Sequence, residues 1–257
     1  MSIYISVISH GHCDLINSLE TLKYLVNDFK VVVKSNKPND CFDGLLLSDD
    51  FYWIDDNYYC GFGHNNNIVF NYCKNELGMS ESDHFIVLNP DVIIDKSGVN
   101  DLVNLMKKEG VDLASINLYK NEEMTIHDHS IRNFPSFVNF FSSFLGLGNS
   151  SVINKNSIIK PSFIQWAAGS FLAFSAEHYN RLGGFDEKYF MYCEDIDICF
   201  RSHNVGVPVM YYPSIKAVHL AKHANRKILT VHFLWHLTSV VRFLFTKIGL
   251  TKPSSSL

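Results

Sequence analysis

The sequence lacks the cysteine spacing on which zinc ribbons and disulfide scaffolds depend. Six cysteines are scattered over 257 residues, and no two of them form a C-x-x-C pair. Unpaired thiols are typical of a reducing compartment, so we expect a cytosolic protein rather than a disulfide-stabilised secreted one. The stretch from Met1 to Ser9 has neither a basic leader nor a long apolar core. It therefore predicts a first strand and not a signal peptide.

Positive charge is also in short supply. Lys and Arg number 22 against 26 for Asp and Glu, which gives a formal net charge of −4. Without a basic surface we expect no nucleic-acid partner. A hydrophobic content of 47% over 257 residues suits one globular domain, or one domain with a small appendage, that buries a sizeable core.

One long segment has no charge at all. Residues 133–154 contain no Asp, Glu, Lys or Arg, although phenylalanine recurs among Ser, Asn and Gly. The recurring side chains are Phe134, Phe137, Phe140, Phe141 and Phe144. Pro135 and two glycines break the run, which is too polar for a bilayer span. Two interpretations stay open: a mobile aromatic loop over an acceptor site or, as the pattern favours, a helix packed on a sheet.

Apolar runs alternate with helical patterns through the first half of the chain. The predicted strands are Ile3 to Ser9, Phe29 to Lys34, Phe85 to Leu88 and Leu113 to Tyr119. The predicted helices lie near Leu15 to Val26, Asn66 to Leu77 and Val99 to Lys108. Alternation of strands and helices implies right-handed crossovers and parallel pairing. The predicted fold class is therefore α/β, with a mostly parallel sheet flanked by helices.

The first acidic motif, Asn89-Pro90-Asp91, follows directly on the apolar strand that ends at Leu88. Asp91 is therefore expected at the carboxyl edge of the sheet, where doubly wound sheets bind their ligands. A carboxylate in that position can hold Mg²⁺ or Mn²⁺ against a phosphate, because hard oxygen ligands suit these ions. A plain Asn-Pro-Asp turn explains the same residues without a ligand.

A second acidic cluster, Glu194-Asp195-Ile196-Asp197, occupies what the pattern predicts to be the first turn of a helix. Acidic side chains complement the helix dipole there, which accounts for one or two of them. Three carboxylates within four residues exceed what capping needs. Their repulsion raises the pKa of at least one or requires a nearby cation, and a raised pKa suits a general base at neutral pH.

Two motifs of small residues complete the candidate set. Gly61-Phe62-Gly63-His64-Asn65-Asn66-Asn67 precedes a predicted helix, so its backbone can approach an anion or a ribose closely. It lacks the Rossmann spacing and the P-loop lysine, and a structural turn with an Asn N-cap is the alternative. The run from Gln165 to Phe171 places small residues between aromatic ones. Trp166 there suits stacking on a sugar or burial in a core.

Taken together, these motifs are similar to those of family 2 inverting glycosyltransferases. The similar runs are Asn89 to Asp91, Gly61 to Asn67, Trp166 to Ser170, Gly184 to Asp186 and Glu194 to Asp197. More closely, the chain resembles the bacterial rhamnosyltransferases of O-antigen and cell-wall assembly. These enzymes transfer L-rhamnose from dTDP-L-rhamnose to a polyprenyl-diphosphate-linked N-acetylglucosamine. The resemblance implies a GT-A domain over residues 1–225, followed by an amphipathic helix and a polar tail over 226–257.

For the donor, the resemblance implies a nucleotide-sugar pocket at the ends of the first strands. The implied residues are Ser9, His10, Asn36, Gly63, Asn67, Asn89 and Asp91. It also implies that Asp91 and His219 bind the metal. Asn89 stands where family members usually carry a first aspartate, so the metal should bind weakly or arrive with the nucleotide. His219 and His223 are four residues apart. Such a pair can also lie at the surface or contribute to packing without binding a metal.

For the chemistry, the resemblance implies that Asp195 is the catalytic base and that Trp166, Gly169 and Glu194 hold the acceptor. The base deprotonates the acceptor hydroxyl while the metal stabilises the departing diphosphate. The expected product is an α-L-rhamnoside formed from a β-linked donor without a covalent intermediate. Asp197 is expected to pair with an arginine four residues on instead of joining the chemistry.

The segment from 226 to 250 predicts a basic amphipathic helix. Its apolar side chains Val231, Leu234, Trp235, Val241, Phe245 and Ile248 can share one face. Arg226, Lys227, Arg242 and Lys247 supply positive charge. Such a helix can lie in an anionic membrane interface, so we expect peripheral contact with the cytoplasmic face of the inner membrane. Docking on the transferase domain and a contact within a homodimer are the alternatives, and the charges argue against a transmembrane span.

Three rival functions stay open. A UDP-sugar or galactofuranosyl donor would keep the mechanism and change the substrate. A sugar nucleotidyltransferase would normally carry a basic glycine-rich loop near its N-terminus, whereas Ser9 to Asp14 contains no Lys or Arg. An inactive carbohydrate-binding homologue would explain Asn89, but the intact Glu194 to Asp197 cluster argues against it.

Overall fold

A central nine-stranded sheet organises the chain. The computed structural model describes residues 1–136, 151–221 and 231–257. The strands of the main sheet are β1 (Ile3–Ser9), β2 (Lys30–Ser35), β3 (Phe51–Ile54), β4 (His84–Leu88), β5 (Val92–Ile93), β6 (Leu113–Tyr119), β8 (Ser162–Ile164), β10 (Phe171–Ser175) and β11 (Val209–His219). A separate small sheet pairs β7 (Ile131–Arg132) with β9 (Trp166–Ala167).

The main sheet is mostly parallel, as predicted. Its order is β3-β2-β1-β4-β10-β6-β11-β5, and β8 pairs with the beginning of β11. β10 lies antiparallel between β4 and β6, while β5 and β8 run antiparallel to β11. The other six strands therefore point the same way, and the ends of β1, β2, β4, β6 and β11 meet at one edge. A ligand site at that edge is what an open α/β sheet provides.

Helices cover both faces of the sheet. They are α1 (Cys13–Leu19), α2 (Thr21–Leu25), α3 (Phe62–Asn75), α4 (Lys96–Glu109), α5 (Ala176–Arg181), α6 (Glu194–Asn204) and α7 (Val231–Lys247). Successive residues of β4 alternate between the two core layers: Ile86 packs with α2 and α4, and Phe85 with α3 and α5. Burying one such side chain fully is worth about 1.5–3 kcal/mol.

Two predicted helices differ from the observed ones. The single helix expected from Leu15 to Val26 is instead α1 and α2, because Glu20 adopts a left-handed conformation (φ 53°) that ends the first. The helix expected near Asn66 begins four residues earlier, at Phe62. Gly61 is its N-cap, so most of the glycine motif is the first turns of α3 and not a loop ahead of it. Strand β10 was not predicted, since small and aromatic residues mask its alternation.

The C-terminal helix packs on the α/β core along one face. Phe243 is completely buried, and its ring lies 5.7 Å from that of Phe200 on α6. Arg242 forms a 2.6 Å ion pair with the buried Asp186, and the Ser239 hydroxyl donates to the Met191 carbonyl. Within the described part of the chain, no helix is both long and apolar enough to cross a membrane.

The uncharged aromatic segment falls mostly outside the described residues. Outside the described residues lie Phe137, Phe140, Phe141 and Phe144. The same holds for His223 and for residues 226–230 of the predicted C-terminal helix. Of the phenylalanines, Phe134 is described, and its ring packs edge-on against Phe200 at 5.3 Å.

Candidate active site

The end of β4 brings Asp91 beside the end of β11. Asn89 donates its backbone N–H to Ser170 of the neighbouring chain segment, and Val92 closes a turn by donating to the Asn89 carbonyl. The short strand β5 then pairs with β11 so that Val92 lies opposite His219. Asp91 and His219, separated by more than a hundred residues in sequence, are therefore neighbours at the carboxyl edge.

His219 lies between two carboxylates. Its Nε2 is 3.4 Å from Asp91 Oδ1, and its Nδ1 is 2.7 Å from Asp128 Oδ2. Burial alone would lower the pKa of His219, but the hydrogen bonds and charges of Asp128 and Asp91 outweigh it and raise the pKa to about 9. Burial alone would raise the pKa of each aspartate, and His219 lowers both instead. All three groups are thus charged as long as both nitrogens of His219 carry a proton. A cation bound at Nε2 would displace the proton there and leave the one on Nδ1.

This geometry fits two ligands of a divalent cation. Adjacent ligands of an octahedral ion, each about 2.1 Å from it, lie about 3 Å apart. The 3.4 Å between Asp91 Oδ1 and His219 Nε2 is close to that spacing. Among the residues the structure describes, no group of three or more His, Cys, Asp or Glu side chains is arranged to hold a metal. The remaining ligands would have to be water and substrate oxygens, and the metal assignment stays a prediction.

The three predicted residues at the ends of β1 and β2 lie together. Asn36 Nδ2 is 3.2 Å from His10 Nδ1, and the Ser9 carbonyl accepts the backbone N–H of Asn36. The Asn36 amide also exchanges two 2.9 Å hydrogen bonds with the backbone of Cys60. The Ser9 hydroxyl accepts the N–H of His12. Strands β1 and β4 are neighbours, with Val7 opposite Leu88, so these residues and Asp91 follow adjacent strand ends.

Gly63 and Asn67 have packing roles within α3. A Cβ atom on Gly63 would lie 2.6 Å from the Phe185 Cβ, so only glycine lets the helix approach that closely. Asn67 is completely buried. Its side chain donates to the Phe185 carbonyl and to Glu187, and accepts from the Phe185 N–H and the Tyr179 hydroxyl. These contacts account for both residues, and their predicted contact with a nucleotide stays a prediction.

The second acidic cluster opens α6, as predicted. Tyr192 and Cys193 both adopt left-handed conformations, with φ of 73° and 65°, immediately before the helix. Such conformations cost of order 1–3 kcal/mol each in non-glycine residues and concentrate at functional sites. They aim Asp195 at the turn after β9, where its Oδ2 accepts the Gly169 N–H at 3.0 Å. Its Oδ1 accepts the N–H of Ile196 at 2.8 Å.

Glu194 and Asp195 form a carboxyl pair in which the two members differ in environment. Burial, followed by the charge of Asp195, raises the pKa of Glu194. Glu194 is 7% exposed, and its Oε2 has no hydrogen-bond partner. Burial also raises the pKa of Asp195, but the two backbone N–H groups and the charge of Arg132 act in the opposite direction. Burial therefore favours the proton on Glu194, whereas the two backbone N–H groups favour the anionic form of Asp195.

Of the predicted acceptor residues, Gly169 and Glu194 adjoin Asp195. Gly169 binds it directly, and a Cβ atom there would lie 3.0 Å from the Phe62 ring. Trp166 is 6% exposed, its indole N–H donates to the Asn133 carbonyl, and the Arg132 guanidinium lies 5.5 Å from its ring centroid. The indole is thus largely core, and its predicted stacking on a sugar stays a prediction.

Asp197 has the structural role expected of it. Its side chain is 1% exposed and forms a 2.7 Å ion pair with Arg201 on the next turn. Arg201 also donates to the carbonyls of Leu182 and Gly184, which ties α6 to the segment after α5. The prediction that Asp197 pairs with Arg201 is confirmed.

Asp128 is the site residue that the sequence analysis missed. It lies in the loop after β6, far in sequence from both acidic motifs. The run His127-Asp128-His129 is a local signal, because it concentrates residue types that bind metals and protons. Spacing alone does not connect it with His219, since their contact depends on how the loop folds back.

Comparison with known proteins places the chain in a family. No family model matches the sequence. The rhamnosyltransferase WbbL of Escherichia coli K12 is 36% identical over 252 residues, which cover 95% of this chain and 93% of WbbL. The N-acetylglucosaminyl-diphospho-decaprenol L-rhamnosyltransferase of Mycobacterium tuberculosis CDC 1551 is 27% identical over 63% of this chain, which spans 55% of that relative.

Solved structures support the fold. Staphylococcus aureus TarS, residues 1–349, superposes with a TM-score of 0.57 at 11% identity, over 86% of this chain and 61% of TarS. The TarS structure in complex with UDP gives the same TM-score over 85% of this chain. At that identity the likeness concerns the fold alone. The identity with WbbL over nearly the full length of both chains goes further: the protein belongs to the glycosyltransferase family of the rhamnosyltransferase WbbL.

Proposed function

We propose that the protein is an inverting rhamnosyltransferase that moves L-rhamnose from dTDP-L-rhamnose to a lipid-diphosphate-linked N-acetylglucosamine during surface polysaccharide synthesis. The observation that carries the proposal is the 36% identity with WbbL across 95% of the chain. The printed name of the mycobacterial relative supports the lipid-diphosphate acceptor. The donor nucleotide rests on the resemblance, and the clustering of Ser9, His10 and Asn36 beside Asp91 supports a pocket for it.

Asp195 serves as the base in this proposal. It accepts the proton of the attacking acceptor hydroxyl as that oxygen bonds to the anomeric carbon, while the bond from this carbon to the diphosphate oxygen breaks. Each carboxylate oxygen already accepts one backbone N–H, which fixes the orientation of the group and leaves lone pairs for the proton. The raised pKa of Asp195 strengthens it as a base. A neutral Glu194 beside it can donate to the acceptor sugar.

Asp91 and His219, the latter after loss of its Nε2 proton, would hold Mg²⁺ or Mn²⁺ in this proposal. The ion would supply positive charge to the departing diphosphate. Because the protein would supply only two ligands, the bound nucleotide should strengthen the affinity of the protein for the metal ion.

The outer face of α7 provides the membrane contact in this proposal. Five apolar side chains, spaced three or four residues apart, are 43–67% exposed: Leu234, Leu237, Val241, Phe245 and Ile248. The beginning of α7 adjoins the segment that leads into the acid pair, since Trp235 lies 4.5 Å from Phe190 and the Tyr192 hydroxyl is 3.4 Å from His232. An interfacial helix there would bring a lipid-linked acceptor to Asp195.

The test is a transfer assay with purified protein, a lipid-diphosphate-linked N-acetylglucosamine, Mg²⁺ or Mn²⁺, and either dTDP-L-rhamnose or a UDP-sugar. We expect product with the rhamnose donor alone, strong loss in Asp195→Asn, and no loss in Asp101→Asn, which removes an exposed carboxylate on α4. Transfer from a UDP-sugar instead would show that the donor assigned here is wrong. Absence of transfer from every donor would overturn the proposed function.

Membrane contact is tested separately by flotation with vesicles of phosphatidylethanolamine and phosphatidylglycerol in equal parts. The wild-type protein should float with the vesicles, and Val241→Ser/Phe245→Ser should not. This role for α7 would be contradicted if both proteins floated equally or if neither floated.

A further inference from the structure

Asp128 binds His219, the histidine at the carboxyl edge, at the ring nitrogen that does not face Asp91. Its Nδ1 lies 2.7 Å from Asp128 Oδ2, while its Nε2 lies 3.4 Å from Asp91 Oδ1. The two ring nitrogens of an imidazole point in different directions. Asp128 therefore contacts His219 at the ring nitrogen opposite the one that lies near Asp91.

The backbone around Asp128 fixes its position. The Asp128 N–H donates to the Leu118 carbonyl at 2.9 Å, and the preceding residue, His127, forms an antiparallel bridge with Tyr119. The rings of His127 and Tyr119 stack with centroids 4.6 Å apart. The Asn121 side chain accepts two backbone N–H groups within the same loop. The loop is thus built to return a single carboxylate to the end of β6.

His219 is fixed from the opposite direction. It ends β11, where it lies opposite Val92, and the next residue donates its N–H to the Asp91 carbonyl. The side chains of His219, Asp91 and Asp128 are 12%, 17% and 13% exposed. Water therefore competes little for the hydrogen bond between Nδ1 and Asp128, which strengthens it.

We infer that Asp128 is a positioning residue, which holds His219 in the tautomer and orientation that present Nε2 toward Asp91 for a shared divalent cation. This inference rests on the metal site of the proposed function. Metal-binding histidines generally donate their other ring N–H to a carboxylate, carbonyl or water, which sets the tautomer and raises the basicity of the ligand. Loss of such a partner typically weakens metal binding 10- to 100-fold.

The first test needs no metal. In protein labelled with ¹⁵N-histidine, the proton on Nδ1 of His219 should give a downfield resonance, assigned by its loss in His219→Gln. We expect Asp128→Ala to remove or strongly shift this resonance. Glu122→Gln is the matched control, because it removes an exposed carboxylate from the same loop and should leave the resonance in place. An unchanged resonance in Asp128→Ala would overturn the hydrogen bond.

The second test is titration with Mn²⁺, followed by the electron paramagnetic resonance signal of the free ion, with and without dTDP. Asp128→Ala should weaken Mn²⁺ binding 10- to 100-fold. Asp128→Asn should lose less, because its side-chain oxygen still accepts the proton of Nδ1, and it replaces Asp128→Ala should that variant fail to fold. Glu122→Gln should match the wild type.

The outcomes separate this inference from the proposed function. Equal Mn²⁺ affinity in the wild type and both Asp128 variants would overturn the positioning role and leave the metal site standing. Absence of Mn²⁺ binding by the wild type, with and without dTDP, would overturn the metal site and the positioning role together. Rhamnosyl transfer, measured separately, decides the proposed reaction, and a different donor sugar would change neither Mn²⁺ result.

Discussion

Two clusters of acidic residues at the same edge of the sheet have carboxyl pKa values that are shifted in opposite directions. In the histidine corner, formed by Asp91, Asp128 and His219, an imidazolium lies between two carboxylates and lowers the pKa of both. In the acid pair, Glu194 and Asp195, burial dominates and raises both pKa values. Both groups contain carboxyl groups, so the environment decides. Carboxylates of lowered pKa beside an imidazole that can give up its Nε2 proton suit a cation, whereas a carboxylate of raised pKa suits proton transfer.

Asp197 provides a third case within one turn of α6. It is more deeply buried than either member of the acid pair, yet Arg201 lies 2.7 Å away and compensates its charge. Three carboxylates that the sequence presents as one cluster thus divide into a group that burial favours in its protonated form, the proposed base and a structural ion pair. The following predictions test that division.

The largest effect is expected from Asp195→Asn. Removal of a general base typically costs 10²- to 10⁴-fold in rate, and the amide oxygen can still accept the Gly169 N–H. We expect kcat to fall in that range while the thermal unfolding midpoint stays close to the wild-type value. A fall of less than tenfold in kcat would assign the base to another residue.

Arg201→Ala should show the opposite profile. It leaves the buried Asp197 charge without its partner, which costs about 3–5 kcal/mol. Urea unfolding should detect this loss of stability, whereas kcat per folded molecule should stay within a few-fold of wild type. Lys23→Ala breaks an exposed ion pair with Glu20 and should leave stability unchanged. A large loss of kcat in folded Arg201→Ala would give Asp197 a role in the reaction.

Glu194→Gln should remove a pH dependence of stability. The folded protein holds a proton on Glu194 above the ordinary pKa of glutamate, where the unfolded chain releases it. Wild-type stability should therefore fall as the pH rises between the ordinary and the raised pKa. Each pKa unit is worth about 1.4 kcal/mol, so we expect a loss of about 1–3 kcal/mol that the variant lacks. Parallel stability curves from pH 4 to 9 would contradict a neutral Glu194.

The smallest effect is expected from Arg132→Gln. The charge of Arg132 lowers the pKa of Asp195, so its removal should raise that pKa further. The acid limb of the pH profile of kcat/KM should move to higher pH by up to about one unit. A limb that stays in place would show either that Arg132 is screened from Asp195 or that another group controls the limb.

Much of the fold follows from local sequence. The strands β1, β4 and β6 are continuous apolar runs, and α4 ends at the left-handed Gly110, as its sequence indicates. Local signals were weaker where the tertiary structure overrides them. Glu20 breaks a continuous helical pattern by adopting a left-handed conformation, and Gly61 and Gly63 act through close packing against segments more than a hundred residues away.

The sequence by itself determined the α/β class, the acidic motif at the end of β4 and the acidic first turn of α6, because these depend on periodicity and on neighbours within a few residues. Only the tertiary structure decided that His219 lies between Asp91 and Asp128, and that Glu194, Asp195 and Asp197 have different electrostatic environments. Burial, and the position of a partner on a distant strand or loop, set the pKa of a carboxyl group, and neither is a local property of the chain.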